Sequence, residues 1–247
     1  MAEPIVSAER SPRREVGDGE AGVDLLADCS EQIEALRQVG RYCYSRGWSL
    51  GTSSNYSVVL RRDPLELLIT ASGKDKGNLS KADFVRVDGQ GRPVHPAQPR
   101  ASAETLLHVV AARRPQVGAV LHTHSVWSTL LSDWCYEEGG LWLAGYEMLK
   151  GLAGISTHET AVWLPIFENS QDIPALARQV EQAFDNPDRP MRHGYLIRRH
   201  GLYTWGKDLV EARRHLEVLE FLLECAARQM GTRVGRVAGQ PPGPCSS

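Results

Sequence analysis

Three short apolar runs, "YSVVL" (56–60), "LLITA" (67–71) and "FVRV" (84–87), follow one another with Gly, Asp and Pro punctuating the connections. Runs this short, rich in β-branched residues and bounded by turn formers, read as antiparallel strands joined by turns. A sheet built from them needs a covering layer, and the rest of the chain supplies helices for it. "VDLLADCSEQIEALRQVGRYCYSRG" carries Leu25, Leu26, Ile33 and Leu36 at helical spacing and stops at Gly47. "SAETLLHVVAARR" reads as a helix with Ser102 as its candidate N-cap. "DIPALARQVEQAF" reads as another, with Pro174 in its first turn, where a missing N–H does little harm. "SVWSTLLSDW" and "YEMLKGLAG" read as short helices, and "DLVEARRHLEVLEFLLECAARQM" as a long closing one. Interleaved with these, "VGAVLHTH", "TAVWLPIF" and the two halves of "GYLIRRHGLYTWG" read as further strands, the last pair broken at His200-Gly201. The expected fold is α/β: a layered single domain with a central, mainly antiparallel or mixed sheet flanked by helices.

That domain is expected over residues 23–230. Residues 1–22 and 231–247 are rich in Gly, Ser, Pro and charge without periodicity, and are expected to be disordered. A formal net charge of -2 gives no bulk reason to expect nucleic acid or an acidic membrane as partner. No apolar stretch approaches the roughly 20 residues that span a bilayer, and the N-terminal stretch lacks a signal-peptide core. Five cysteines without CxxC spacing read as reduced thiols, so the expected location is cytoplasmic.

The chemistry-bearing stretch is "AVLHTHS". Alternate residues of a strand share a face, so His122 and His124 can send imidazoles to one point while Thr123 faces away. A catalytic zinc site usually takes three protein ligands and leaves a position open. His200, followed by Gly201, which permits close backbone approach, is the best third candidate, although periodicity alone does not rank it above His193. His95, His108, His158, His193 and His215 read as structural or solvent-exposed. Two glutamates are candidates for proton transfer. Glu104, on the first turn of a helix, is otherwise explained by the positive helix end. Glu147, in "YEMLKG", is otherwise explained by an i,i+3 pair with Lys150. The clusters "GTSSNYS" (51–57) and "TASGKDKGNLS" (70–80) could cradle a phosphate on hydroxyls and backbone N–H groups, with Lys74 or Lys76 adding charge. Neither fits the P-loop pattern.

Taken in order, "GTSSNYS", "ITASGKDKGNLS", "SAETLLH", "AVLHTHS" and "RRHGLYTWG" resemble the class II aldolase family of metal-dependent sugar-phosphate enzymes, over about residues 24–230. Within it, "HTHSVWSTLLS", "YEMLKGL", "PIFEN" and "RRHGLYTWG" resemble a dehydratase branch that removes water from a methylthio ketose phosphate in methionine salvage. The resemblance implies one Zn²⁺ per subunit held by His122, His124 and His200, and a catalytic acid/base at Glu147. It implies phosphate recognition by Asn55, Ser72, Gly73 and Ser102, with Lys74 close by. Glu104 lies where the family's aldolases carry their catalytic glutamate, and takes a secondary part here as substrate contact or proton relay. The implied partners are a small sugar phosphate and further copies of the chain, most often four. The competing readings are an aldolase or epimerase on another sugar phosphate, and a non-catalytic interaction module. Three aromatic residues, Trp127, Trp142 and Tyr146, could wall in the sulfur, and core packing accounts for them equally well.

Overall fold

The strand runs pair into one eight-stranded sheet in the computed structural model, which describes residues 24–237. The strands are β1 (Asn55–Arg62), β2 (Leu65–Thr70), β3 (Phe84–Asp88), β4 (Ala119–Thr123), β5 (Gly140–Ala144), β6 (Ala161–Phe167), β7 (Gly194–Ile197) and β8 (Gly201–Gly206). Their order across the sheet is β3-β2-β1-β4-β8-β7-β6-β5. Neighbours are antiparallel except β6 and β7, which run parallel. The sheet is therefore mixed and mainly antiparallel, as the punctuated short runs imply.

Helices cover both faces. On one side α1 (Ser30–Ser45), α3 (Val126–Trp134) and α5 (Leu209–Val237) bury Leu36, Val39, Leu131, Leu216 and Leu219 against Tyr56, Leu121 and Leu202 of the sheet. On the other, α2 (Thr105–Ala112) and α4 (Ile173–Phe184) bury Leu107, Val110, Leu176 and Val180 against Val120, Tyr195 and Tyr203. Central strands enclosed in this way are apolar on both faces, and β4 is buried along its whole length.

The elements depart from the sequence reading at several boundaries. α1 begins at Ser30, after a 3₁₀ turn at Ala27–Cys29, because the Asp24 carboxylate takes the Leu26 N–H (3.2 Å) and turns the chain there. Ser102 is not the N-cap of α2; Glu104 occupies that position, and the Ser102 hydroxyl accepts the Glu104 N–H (3.3 Å) one step earlier. β5 has no counterpart among the expected strands. It forms because Leu141 and Leu143 alternate into the core while Trp142 faces outward. α5 is described to Val237, past the boundary expected at residue 230. The expectations for residues 1–22 and for 238–247 lie outside the described residues.

β4 and β8 pair with His122 opposite Tyr203 and Thr123 opposite Leu202. Gly201, at the start of β8, has no room for a side chain, since a Cβ there would stand 2.0 Å from the Thr123 carbonyl oxygen. Gly201→Ala is expected to force β8 away from β4 and lower the melting temperature, as calorimetry would reveal. A variant with native stability would contradict this packing.

Candidate active site

β4 sends alternate residues to opposite faces of the sheet. Val120 packs with the α2 and α4 side and Leu121 with the α1, α3 and α5 side. His122 therefore faces α2, and Thr123 faces α5, where its hydroxyl donates to Glu220 Oε1 (2.9 Å). His124 lies one residue beyond β4, its backbone N–H donating to the Trp48 carbonyl (2.8 Å). His200 arrives from the turn between β7 and β8, whose preceding residue Arg199 is left-handed (φ 52°), and its carbonyl accepts from Thr129 (3.1 Å).

These elements bring the three imidazoles together. The Nε2 atoms of His122 and His124 are 2.8 Å apart, those of His124 and His200 3.2 Å, and those of His122 and His200 3.3 Å. Two nitrogens bound at about 2.05 Å to one tetrahedral ion lie about 3.3 Å from each other, so the triangle has the size such an ion requires. The chemistry of the donors fits as well. His122 donates its Nδ1–H to the Leu202 carbonyl (2.9 Å), which leaves the Nε2 lone pair facing the cluster. Burial, then the neighbouring imidazoles, holds His122 well below its ordinary pKa. Burial, His200 and Lys76 bring His124 down to about 3. Neutral imidazoles with converging lone pairs are what a cation site needs.

Glu104 stands beside the cluster, Oε1 3.3 Å from His200 Nε2 and Oε2 3.6 Å from His122 Nε2. Asn55 faces His122 across the β1–β4 pairing and donates from Nδ2 to Glu104 Oε2 (2.8 Å) and Ser102 Oγ (3.2 Å). On the other flank Tyr203 stacks on His122 at 4.0 Å. The cluster opens on a cavity of about 350 Å³ whose walls include Asn55, Ser72, Gly73, Ser102, Glu104, His124 and His200. The loops supplying its hydroxyls hold Thr52 and Ser54 at positive φ (65° and 73°), with Gly73 at 69°. Non-glycine residues held in that region mark loops whose shape serves a purpose beyond connection.

Two charged residues among the candidates, Lys74 and Glu147, take partners outside the cavity. Lys74 turns to Asp83 (2.9 Å), and the buried cation between the two loops is Lys76, which donates to the carbonyls of Thr52 (3.3 Å) and Lys74 (2.7 Å). Burial lowers Lys76 to about 8. Glu147 lies on a surface 3₁₀ helix (Glu147–Gly151), 68% exposed, paired with Lys150 and with His158 (3.3 Å). Within one chain it takes the i,i+3 pairing that its spacing allows, away from the cavity. Trp142 and Tyr146 border a different cavity, with Trp163 and Met230. Three features are missing from the sequence reading: the burial of Lys76, the Asn169–Gln171 segment that closes one side of the cavity, and His108. "PIFEN" holds part of the signal for the second, since a polar stretch straight after an apolar strand sits at a strand end.

Comparison with known proteins accords with this geometry. The family description "Class II Aldolase and Adducin N-terminal domain" matches residues 34–227. The chain belongs to the class II aldolase family. Among curated relatives of this class II aldolase-family chain, the methylthioribulose-1-phosphate dehydratase of Marinobacter nauticus is 47% identical over 202 residues, covering 81% of this chain and 94% of that protein. The protein of the same name from Pectobacterium atrosepticum is 50% identical over 198 residues, covering 79% and 93%. Among solved structures, L-fuculose-1-phosphate aldolase from Thermus thermophilus shares the fold, with a TM-score of 0.65 at 23% identity, covering 85% of this chain and 99% of that one.

Beneath β4, Glu220 is fully buried, and burial pushes its carboxyl up from 4.5 to about 7. Between those values the folded chain holds a proton that the unfolded chain has released, so stability falls as pH rises through that window. In metal-free protein, Glu220→Gln is expected to flatten the fall in thermal stability between about pH 5 and 7. Parallel stability curves for variant and native chain would contradict a buried, proton-holding Glu220.

Proposed function

We propose that this chain dehydrates 5-methylthioribulose 1-phosphate to 2,3-diketo-5-methylthiopentyl 1-phosphate, a step of methionine salvage, with one zinc ion held by His122, His124 and His200. The observation that carries the reading is the joining of that three-histidine cluster and Glu104 to a chain 47–50% identical, over about four-fifths of its length, to relatives named for this reaction. Residues of this chain supply the parts that the reaction needs.

Zinc, when bound, supplies Lewis acidity for the carbonyl at carbon 2 of the substrate. Glu104 is the carboxylate beside the cluster, and takes the proton from carbon 3. The hydroxyl on carbon 4 leaves with a proton as water, and the resulting enol tautomerises to the 2,3-diketone. One water is lost and no electron changes hands, which suits a redox-inert ion. Ser72, Gly73 and Ser102 face the cavity and serve the phosphate, with the Lys76 ammonium behind the two loops, the part expected of Lys74. Asn55 serves the carboxylate in place of the phosphate, because both its amide hydrogens are committed to Ser102 and Glu104.

Glu147 retains its part as a second acid/base in a homo-oligomer, four copies being the expected assembly, where it enters the site of a neighbouring copy. Exposed Trp142, Met148 and Met230 give the chain apolar surface for such an interface. A cytoplasmic location suits Cys29, Cys43, Cys135 and Cys225, which are all free thiols. No helix among the described residues is long and apolar enough to cross a membrane.

Incubation with methylthioribulose 1-phosphate is expected to yield the diketone, while L-fuculose 1-phosphate yields no aldehyde. Aldehyde from the second with no diketone from the first would replace this reading with an aldolase. Glu104→Gln is expected to keep its zinc and lose about 10²–10⁴-fold in turnover, the usual worth of a positioned general base. His124→Ala and Glu147→Gln are each expected to be inactive alone. Co-assembled, they should regain activity, since one copy keeps the histidines and the other keeps Glu147. No recovery in the mixed assembly, or near-normal turnover in Glu147→Gln, would remove Glu147 from a neighbour's site.

A further inference from the structure

His108 sits on α2 one turn beyond Glu104, fully buried, with neither solvent nor an ionic partner to explain an imidazole there. Its Nδ1 accepts from the Ser57 hydroxyl (2.8 Å), and its Nε2 donates to Asn55 Oδ1. Asn55 in turn donates from Nδ2 to Glu104 Oε2 (2.8 Å). The order of donors along this chain is forced. Asn55 turns its NH₂ to Glu104 and Ser102, which leaves its oxygen facing His108. That oxygen needs a donor, so His108 carries its hydrogen on Nε2 and must accept at Nδ1, where Ser57 can donate. Burial holds His108 neutral, at about 3, so it does not switch to donating from both nitrogens.

The sheet explains why these groups meet. Ser57 and Asn55 are alternate residues of β1 and share the face that α2 covers, opposite to that of Tyr56, which packs with the α1, α3 and α5 core. His108 is thus positioned to span two strand residues on the same face. The His108 ring also meets Tyr203 edge-on at 5.6 Å, and Tyr203 is the ring stacked on His122.

We propose that His108 is a positioning residue of the reaction, holding Asn55 in the one amide orientation that fixes Glu104 beside the three-histidine cluster. It touches neither substrate nor metal. The inference rests on the dehydratase reading for its rate measurements, and on the hydrogen-bond chain alone for its spectroscopic one. Without the Nε2–H, Asn55 is free to rotate its amide and present oxygen to the carboxylate, which then loses its anchor. Outer partners of this kind are typically worth about 10–100-fold in activity.

Imidazole ¹⁵N shifts of the native, zinc-loaded protein test the chain first. His108 is expected to be the neutral, Nε2–H form throughout about pH 5–8, and an Nδ1–H or charged His108 would overturn the proposal. Variants test the consequence. His108→Leu is expected to keep one zinc per chain and lose roughly 10–100-fold in kcat with little change in KM. His108→Gln places an amide N–H toward Asn55 and should recover most of that loss. A leucine variant with native kcat, or a glutamine variant as impaired as the leucine one, would overturn the positioning role. Should the native protein fail to dehydrate methylthioribulose 1-phosphate, the function falls while the ¹⁵N spectrum still decides the His108 chain.

Discussion

The site depends on the pairing of β4 with β8. That contact is close because Gly201 lets the Thr123 carbonyl approach where any side chain would collide. The same pairing stacks Tyr203 on His122 and sets the Leu202 carbonyl against His122 Nδ1, which decides which ring nitrogen faces the cluster. His200, one residue before Gly201, is carried to the other two histidines by the same turn. A single backbone contact therefore fixes the position of His200 and the tautomer of His122.

The alternation of β4 separates the two tasks around that contact. His122 looks toward α2, where Glu104, Asn55 and His108 form one connected polar group. Thr123 looks the other way and is tied to Glu220 in the helical layer of α5. Polar groups this deeply buried are costly unless paired. On the α2 side each donor finds an acceptor in sequence from Ser57 to Glu104, so the carboxylate is held by strand and helix residues. On the loop side the buried Lys76 ammonium bridges the carbonyls of Thr52 and Lys74, and so ties the two loops together.

Much of this is legible in the sequence because it depends on local pattern. Short punctuated strands foretell the mixed sheet, and the two-residue spacing of His122 and His124 foretells a shared direction. Gly201 marks a close approach, and it is one. What stays hidden depends on pairings between distant residues. The family resemblance assigns Asn55 to the phosphate, and nothing local shows that its register opposite His122 sets its amide donors on Glu104 and Ser102. His108 reads as a helix residue of no chemical interest, since nothing local says that Ser57 and Asn55 lie across from it. Lys74 and Lys76 are indistinguishable by composition, and only the fold buries one and leaves the other with Asp83. Glu147 within one chain follows its local spacing to Lys150, and a part in catalysis requires surface that one chain does not supply.

One zinc ion is expected to be held jointly by His122, His124 and His200. X-ray absorption at the zinc edge, on protein purified without added metal and then loaded to one equivalent, tests it most directly. Three imidazole nitrogens at about 2.0–2.1 Å, no sulfur, and loss of that signal in His200→Ala are expected. Sulfur in the coordination shell, or an unchanged spectrum in that variant, would contradict it.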